Sequence, residues 1–313
     1  MAPRTASRAM GLLLALVLTT PAAAQVVRQL TDHDSGGSYL HFGSLDDAGT
    51  KLFYIAAEDP DGVNGEGRFQ IMRWDASSGD VEQVTSLDRG VLKMAVGPAV
   101  NDDGQWLVLT STSDPLGTNH DQGNELFAVQ ADGSGLIQLT DDPSGDRRWI
   151  TSYDISGNAS KVVFTSGVDY LGTNPGNVDQ VLIVDRDGTG LLQLSESTEQ
   201  AWWVTISDDG ERIAFTDYTN GFNGNVFKVE SDGRRLRDLV TSMGGEFPFI
   251  SGDGTKVAFN GSVDGGDEVC VVDWDGRNLL QLTSSYIGGS ARGWAHYPSL
   301  TDNGTWSTTL SGI

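Results

Sequence analysis

A short phrase that recurs along the chain restricts its fold more than any other feature. The phrase is an aliphatic residue and Ser, an Asp/Asn-Gly turn, and then a run of alternating apolar residues; it is clearest at residues 206–216 and 250–260. A third copy, at residues 155–165, carries Ala159 where the turn Gly is expected. The turn positions are 44 to 55 residues apart and fall at Gly49, Gly104, Ala159, Gly210, Gly254 and Gly304. A period of this length predicts a β-propeller in which each copy is one blade.

A second phrase, an Asp-Gly or Ser-Gly turn followed by a stretch of the type Leu-x-Gln-Leu-Thr, completes each repeat. It is clear at residues 131–140, 186–195 and 274–283, and weaker at 76–85 and 231–241. Gly and Asp tolerate the positive φ of tight hairpins, so each phrase marks a reversal between two strands. We therefore predict four strands per blade, called A to D in chain order, with strand A innermost.

Together the two phrases resemble the repeats of the TolB-like propeller family, which are also described as WD40-like. The resemblance covers nearly all of the chain after residue 24 and implies an all-β propeller fold. It implies little about activity, because such repeats occur in binding proteins, in accessory domains of peptidases and in lyases.

The N-terminal segment, residues 1–24, is predicted to be a secretory signal peptide. Arg4 and Arg8 precede a short apolar stretch, and the alanines at 22–24 offer a cleavage site. The apolar stretch is too short to span a membrane. We therefore expect an exported protein, periplasmic or secreted, that is cleaved near Ala24 and is not inserted in the membrane.

Residues 25–313 are assigned to one six-bladed propeller. Its repeats lie near 32–85, 95–140, 150–195, 202–241, 246–283 and 296–313. Residues 26–31 resemble a strand D without a blade of its own, so they are predicted to complete the last blade and close the ring. Closure removes the free strand edges that promote aggregation.

The balance of charge excludes some partners. The chain carries 43 acidic and 20 basic residues, a formal net charge of −23. Such a surface repels nucleic acid and anionic membranes and favours solubility, so we expect a monomer with no nucleic-acid partner. The single cysteine, Cys270, lies in an apolar run and is predicted to be a buried, inert thiol.

The non-repetitive connections are expected to share one face of the propeller. The short A–B and C–D turns lie on one face, and the B–C loops and D–A connections lie on the other. Function on a repeat scaffold usually resides where the sequence stops repeating. We therefore predict that the second face is the working surface.

Strand A supplies a first set of candidate residues at the channel mouth. Eight residues before the turn positions stand His41, Val96, Thr151, Trp202, Glu246 and His296. In a closed ring Glu246, His296 and His41 are neighbours, and this donor set suits Zn or Mn, or a general acid/base pair. A similarity to the oligogalacturonate-lyase propellers, which hold a metal in the channel, favours the metal. The alternative is that these side chains only pack and hydrogen-bond along the channel.

The B–C loops of the second and third repeats supply a second set of candidates. Both contain Asp-x-Leu-Gly-Thr-Asn, whose hard oxygen ligands on a Gly-containing loop suit Ca²⁺. The candidate ligands are Asp114, Asn119, Asp121, Asp169, Asn174 and Asp179. The alternative is that these side chains cap and turn the loops through their own hydrogen bonds.

The D–A connections place Arg beside Trp and form a third set. The pairs are Arg148 with Trp149 and Arg292 with Trp294, and Trp202 follows another connection. Exposed Trp beside Arg is typical of interface hot spots and of platforms on which sugars stack. The alternative is that the indoles wedge between blades.

Two functions remain open from these observations. The motifs of serine hydrolases, zinc peptidases and P-loop enzymes are absent from the sequence. The first hypothesis is a non-catalytic scaffold that binds a peptide, protein or glycan at the channel mouth. The second is a metal-assisted polysaccharide lyase or hydrolase, with its site in the channel.

Overall fold

The computed structural model describes residues 41–91, 97–142, 144–145, 148–218, 224–241, 243–263, 266–283, 299–300 and 306–307. Every regular element within these ranges is a β-strand, as the repeats predict. No helix long and apolar enough to cross a membrane occurs in the part of the chain so described. The predicted signal peptide and the strand predicted at 26–31 lie outside these residues.

Five four-stranded antiparallel sheets, here called blades 1 to 5, follow one another along the chain. Blade 1 contains β1 (His41–Leu45), β2 (Lys51–Ala56), β3 (Gln70–Asp75) and β4 (Val81–Gln83). Blade 2 contains β5 (Ala99–Val100), β6 (Trp106–Ser111), β7 (Glu125–Gln130) and β8 (Ile137–Gln138). Blade 3 contains β9 (Ile150–Ile155), β10 (Lys161–Ser166), β11 (Gln180–Asp185) and β12 (Leu192–Gln193).

Blades 4 and 5 have the same order of strands. Blade 4 contains β13 (Ala201–Ile206), β14 (Arg212–Asp217), β15 (Asn225–Glu230) and β16 (Arg237–Asp238). Blade 5 contains β17 (Gly245–Ile250), β18 (Lys256–Val263), β19 (Gly266–Asp273) and β20 (Leu280–Gln281). A further pair, β21 (Ser299–Leu300) and β22 (Trp306–Ser307), follows blade 5. The prediction of four strands per blade is confirmed for these five sheets.

The blades are arranged radially, with strand A of each blade innermost. The first strands contact one another in succession, β1 with β5, β5 with β9, β9 with β13, β13 with β17 and β17 with β21. Between blades lie apolar layers, because alternate residues of a strand face opposite neighbours. On β2, for example, Phe53 and Ile55 pack with Leu107 and Leu109 of blade 2. The channel axis therefore runs along the inner strands.

The Leu-x-Gln-Leu-Thr phrase has a structural role on the outer strand. The hydroxyl of Thr140 accepts a hydrogen bond from the Leu126 N–H and donates one to the Glu125 carboxylate. The Gln138 amide donates to the Thr140 carbonyl on the strand's own edge (2.7 Å). This phrase thus anchors strand D to strand C and occupies an edge carbonyl that another chain could otherwise pair with.

The A–B turns of successive blades are joined by backbone hydrogen bonds. The Asp47 N–H donates to the Asp102 carbonyl (3.0 Å), and the Asp102 N–H donates to the Gly157 carbonyl (3.4 Å). The Asp208 N–H donates to the Gly252 carbonyl in the same way (2.9 Å). These bonds tie the blades together at the face opposite the predicted working surface.

Cation–π contacts join neighbouring blades on that same face. Arg186 of blade 3 lies over the Trp106 ring of blade 2, with its guanidinium carbon 3.9 Å from the ring centroid. Between blades 4 and 5 the roles are exchanged: Arg212 belongs to the earlier blade and Trp274 to the later one, at 5.7 Å. Such pairs contribute about 0.5–1 kcal/mol each at exposed sites.

Two details of the sequence prediction are confirmed. Ala159, at the position where the repeat calls for Gly, adopts φ 54° and so makes the same turn as the glycines. Cys270 is a free and fully buried cysteine, and burial raises the pKa of its thiol to about 11. A thiol with so high a pKa carries almost no thiolate at neutral pH and is unreactive.

Candidate functional site

Four of the inner strands, β1, β9, β13 and β17, bulge near the working face, and in β13 and β17 the bulge carries an aromatic residue at positive φ. The pairing of β13 with β14 shifts between Trp202 and Thr205, and the pairing of β17 with β18 shifts between Glu246 and Phe249. Within the bulges Trp203 has φ 55° and Phe247 has φ 54°. A bulky side chain rarely adopts positive φ, and such strain concentrates at functional sites. The same outlier at the same position of adjacent blades therefore marks a candidate site.

The bulges bring two aromatic rings together between blades 4 and 5. The rings of Trp203 and Phe247 contact each other, with centroids 4.5 Å apart and planes tilted by 48°. Both side chains are only partly buried. Phe249, two residues further along β17, is 39% exposed. Blades 4 and 5 thus present an apolar wall at the entrance of the channel.

A short hydrogen-bond relay connects this wall to a carboxylate. The Trp203 indole N–H donates to the Tyr218 hydroxyl, which itself donates to the Glu246 carboxylate. Burial and the Glu246 charge raise the pKa of Tyr218 well above its usual range, so its hydroxyl stays protonated. The relay fixes both the aromatic ring of Tyr218 and the carboxylate of Glu246 at the mouth.

Trp202, the residue before Trp203 on β13, is held by contacts with Asp179 and Tyr218. Its indole N–H donates to Oδ2 of Asp179 (2.9 Å), and its ring meets Tyr218 edge-on with centroids 5.7 Å apart. Burial raises the pKa of Asp179, while the hydrogen bond from Trp202 and the charge of Arg148 oppose that rise. Arg148, Asp179 and Trp202 therefore form one connected group, and Trp202 positions its neighbours.

The third blade contributes polar groups to the channel. The hydroxyl oxygen of Thr151, a predicted site residue, lies 2.8 Å from the hydroxyl oxygen of Thr165 and is hydrogen-bonded to it. Further along β9, Asp154 accepts a hydrogen bond from the Ile206 N–H of blade 4 (3.1 Å). Burial raises the pKa of Asp154 to about 6. Trp149, which precedes β9, is 54% exposed.

The structure describes only part of the predicted metal set. Glu246 lies at the mouth as predicted, and His41 begins β1. His296, together with the predicted site residues Arg292 and Trp294, lies outside the described residues, as does the His41 side chain. Among the residues that are described, no group of three or more His, Cys, Asp or Glu is arranged to hold a metal. The metal site stays a prediction.

The predicted calcium loops are held by their own side chains. Asn119 is buried, its amide donates to two backbone carbonyls, and its N–H donates to Oδ1 of Asp114 (2.8 Å). Asn174 and Asp169 repeat this arrangement in blade 3 (2.8 Å). Asp121 accepts a hydrogen bond from the Gly123 N–H (3.1 Å). These are the contacts expected if the side chains cap the loops; calcium binding by the same residues stays a prediction.

Sequence reasoning missed Trp203, Tyr218, Phe247 and Asp154. The signal for two of them was present, since the residue seven places before the turn position is aromatic in four of the six repeats. Those aromatic residues are Phe42, Trp203, Phe247 and Tyr297. The side chains of Phe42 and Tyr297 lie outside the described part of the chain. Comparing the residue seven places before the turn across the repeats would have identified the aromatic wall.

The strain at Phe247 leads to a testable prediction. In Phe247→Gly, the loss of a partly buried ring is offset by about 1–2 kcal/mol of relieved backbone strain. We expect the free energy of unfolding, measured in urea, to change by less than about 1 kcal/mol. In the control, Phe249→Gly, the φ of residue 249 is not positive, so we expect a loss of about 1–2 kcal/mol. Equal losses in both variants would contradict strain at residue 247.

Known proteins are similar to this chain in part of its sequence and in its fold. No family model matches the chain. Among curated proteins, it is similar to the protein TolB homolog of Chlorobium luteolum, with 31% identity over 143 residues, 46% of this chain and 31% of the relative. The chain thus spans about a third of the length of that relative.

Among solved structures, two illustrate the likeness of fold. TolB from Acinetobacter baumannii superposes with a TM-score of 0.53 at 20% identity, over 79% of this chain and 55% of that one. Oligogalacturonate lyase from Vibrio parahaemolyticus superposes with a TM-score of 0.60 at 16% identity, over 88% of this chain and 74% of that one. At sequence identities this low, the superposition shows a likeness of fold and nothing about function. In its fold, and over about half of its sequence, this chain is similar to TolB-like β-propellers.

Proposed function

We propose that this chain is an exported propeller scaffold that binds a peptide, protein or glycan at the channel mouth between blades 4 and 5. The observation that carries the proposal is the pair Trp203 and Phe247, held in contact at positive φ. Aromatic side chains that remain partly exposed on a rigid scaffold supply contact area at low entropic cost. The relay through Tyr218 to Glu246 adds fixed polar groups beside that surface.

Buried side chains on the two faces that end the row of five blades support the proposal of a sixth blade. On blade 1, Leu52, Tyr54 and Trp74 are buried on the face turned away from blade 2. On blade 5, the face turned away from blade 4 carries Val271, which packs with Leu300 of β21. A ring of six blades has six interfaces, and these two faces fit the two sides of the last one. We propose that β21 and β22, with residues 26–31, form that blade and close the ring.

Screening the exported protein on peptide and glycan arrays tests the proposed function. Ligands that bind the wild-type protein should be lost in Phe247→Gly, which is expected to keep its stability. They should be retained in Leu280→Ala, which alters an exposed apolar residue of the outer strand β20. Binding that survives Phe247→Gly would place the site elsewhere.

The second candidate function is a metal-assisted polysaccharide lyase or hydrolase with His41, Glu246 and His296 as ligands. It is favoured by the position of Glu246 at the mouth and by the fold likeness to an oligogalacturonate lyase. Elemental analysis of protein purified without chelator tests it. Stoichiometric Zn or Mn, lost in a His41→Ala/His296→Ala variant, would support the enzyme. Calcium, with a lower melting temperature in EDTA, would support the loop sites instead.

Export is proposed from residues 1–24, with cleavage after Ala24. The protein recovered from the periplasm or the medium should then begin at Gln25, which N-terminal sequencing measures. Recovery of an uncleaved chain in the cytoplasm would contradict export.

A further inference from the structure

We infer that the channel mouth between blades 4 and 5 recognises a positively charged side chain of a peptide, a lysine ammonium or an arginine guanidinium, beside Glu246. This inference rests on the proposed function, because it names the class of ligand for the same site. It excludes an acidic saccharide as the preferred occupant.

On the inner strands that the structure describes, the charged residues are all acidic. The described inner strands β1, β5, β9, β13, β17 and β21 contain two carboxylates, Asp154 and Glu246, and no Lys or Arg. Both carboxylates lie on strands adjacent to β13, which carries Trp203. Glu246 lies at the mouth beside the aromatic wall, whereas Asp154 lies deeper, one residue before the end of β9.

The described loops around the mouth are acidic as well. The described B–C loops and D–A connections from blade 3 to blade 5 contain carboxylates and no Lys or Arg. The carboxylates are Asp169, Asp179, Glu196 and Glu199. The whole chain has a net charge of −23, so its long-range field attracts cations and repels anions. An anionic ligand would have to overcome both the local and the long-range field.

Arg148, a basic residue that precedes this region, already interacts with Asp179. Its charge opposes the rise in the pKa of Asp179, which also accepts the Trp202 N–H. Arg148 is therefore poorly placed to neutralise an acidic saccharide. By contrast, Glu246 is partly exposed, and the hydrogen bond that it accepts from Tyr218 comes from a neutral hydroxyl.

The aromatic groups fit the same class of ligand. A cation that approaches a carboxylate next to aromatic rings gains both a charge–charge attraction and the attraction of the ring faces. Trp203 and Phe247 provide those rings, and their relay to Glu246 holds the carboxylate close by. Neither feature favours a carboxylate on the ligand, because like charges in one site repel each other.

Calorimetric titration of the exported protein with three probes tests the inference. The probes are a capped Gly-Lys-Gly-Lys-Gly peptide, its counterpart with Glu in place of Lys, and trigalacturonate. We expect the Lys peptide to bind most tightly, and more weakly at high salt. Glu246→Gln should weaken it about fivefold, and Phe247→Leu, which keeps apolar bulk but removes the ring, about threefold. Asp80→Asn removes one exposed charge from the opposite face and should leave the affinity unchanged.

The outcomes separate this inference from the proposed function. Tighter binding of either anionic probe would overturn the inference, as would absence of Lys-peptide binding or an equal loss in Asp80→Asn. The proposed function fails only if the array screen finds no ligand that depends on Phe247. A Lys-peptide affinity that falls in both mouth variants and not in the control supports the inference.

Discussion

Replacing Glu125 by glutamine is expected to raise the free energy of unfolding at pH 8 by about 3 kcal/mol. Glu125 is fully buried at the start of β7. Burial raises the pKa of its carboxyl from 4.5 to about 7, and the charges of Asp142 and Asp141 contribute to the rise. The ionised form is therefore disfavoured in the folded protein, and glutamine cannot ionise.

Equivalent positions show that the fold accepts glutamine. In blade 3, the Gln180 amide donates to the Ser197 carbonyl (2.8 Å), and its oxygen accepts from the Ser195 hydroxyl (2.7 Å). Gln70 makes the same kind of contacts in blade 1. In blade 2, the Glu125 oxygens accept from the Thr140 hydroxyl and the Asp142 N–H. A glutamine at 125 can accept both bonds with its single amide oxygen, as Gln180 does from Ser195 and Ser197, and its NH2 adds a donor.

The gain in free energy of unfolding from Glu125→Gln should depend on pH over a defined range. Because the pKa of Glu125 is raised on folding, the wild-type protein loses stability as the pH rises from about 4.5 to about 7. The difference between the variant and the wild type should thus be small below pH 4.5 and level off above pH 7. Urea unfolding at several pH values measures it. The reverse change, Gln180→Glu, should lose stability over the same kind of window; a pH-independent difference in either variant would contradict the explanation.

The second large effect is expected at Gly133, where Gly133→Ala should lower the free energy of unfolding by about 3 kcal/mol. Gly133 has φ 83° in the C–D turn of blade 2. A Cβ there would lie 2.5 Å from the Val84 carbonyl oxygen of blade 1. The variant thus combines backbone strain with a clash against the neighbouring blade's backbone, which cannot rotate away.

Alanine substitutions at three equivalent glycines distinguish the backbone strain from the clash with the neighbouring blade. Gly276, Gly188 and Gly233 have φ of 86°, 85° and 81°, so the backbone strain of an alanine is nearly the same. A Cβ would lie 3.1 Å from a carbonyl oxygen at Gly276 and 3.4 Å at Gly188, and would meet nothing within 4 Å at Gly233. We expect the loss to fall in that order, to about 1 kcal/mol in Gly233→Ala. Equal losses at all positions would show that the contact between blades contributes nothing.

The repeat made much of the fold predictable. Hairpin turns depend on local conformation, which Gly, Asp and Asn specify directly, so the A–B and C–D turns could be located from the chain alone. The turn at Ala159 was placed correctly because the residues around it match the repeated phrase, although Ala stands where Gly is expected. The roles of Thr140 and Gln138 were not predictable, because they depend on which strand lies beside β8.

The sequence analysis singled out the channel mouth with Trp202 and Glu246, but not the aromatic pair that forms its wall. Trp202 was singled out at the mouth, and its N–H is engaged by Asp179. The partly exposed pair is formed by the next residue, Trp203, together with Phe247 of the following blade. A bulge inserts one residue into the strand and changes which side chain faces the channel, and simple alternation does not reveal it.

By itself, the sequence determined the all-β class, the four-stranded repeat, the positions of the turns and the negative charge of the protein. These follow from local backbone preference, from periodicity and from composition, which need no knowledge of distant contacts. Only the tertiary structure decided that Trp203, Tyr218, Phe247 and Glu246 meet, and that Glu125 is buried beside Thr140. Those contacts join residues of different strands and blades, and their geometry depends on how the sheets pack and where the strands bulge.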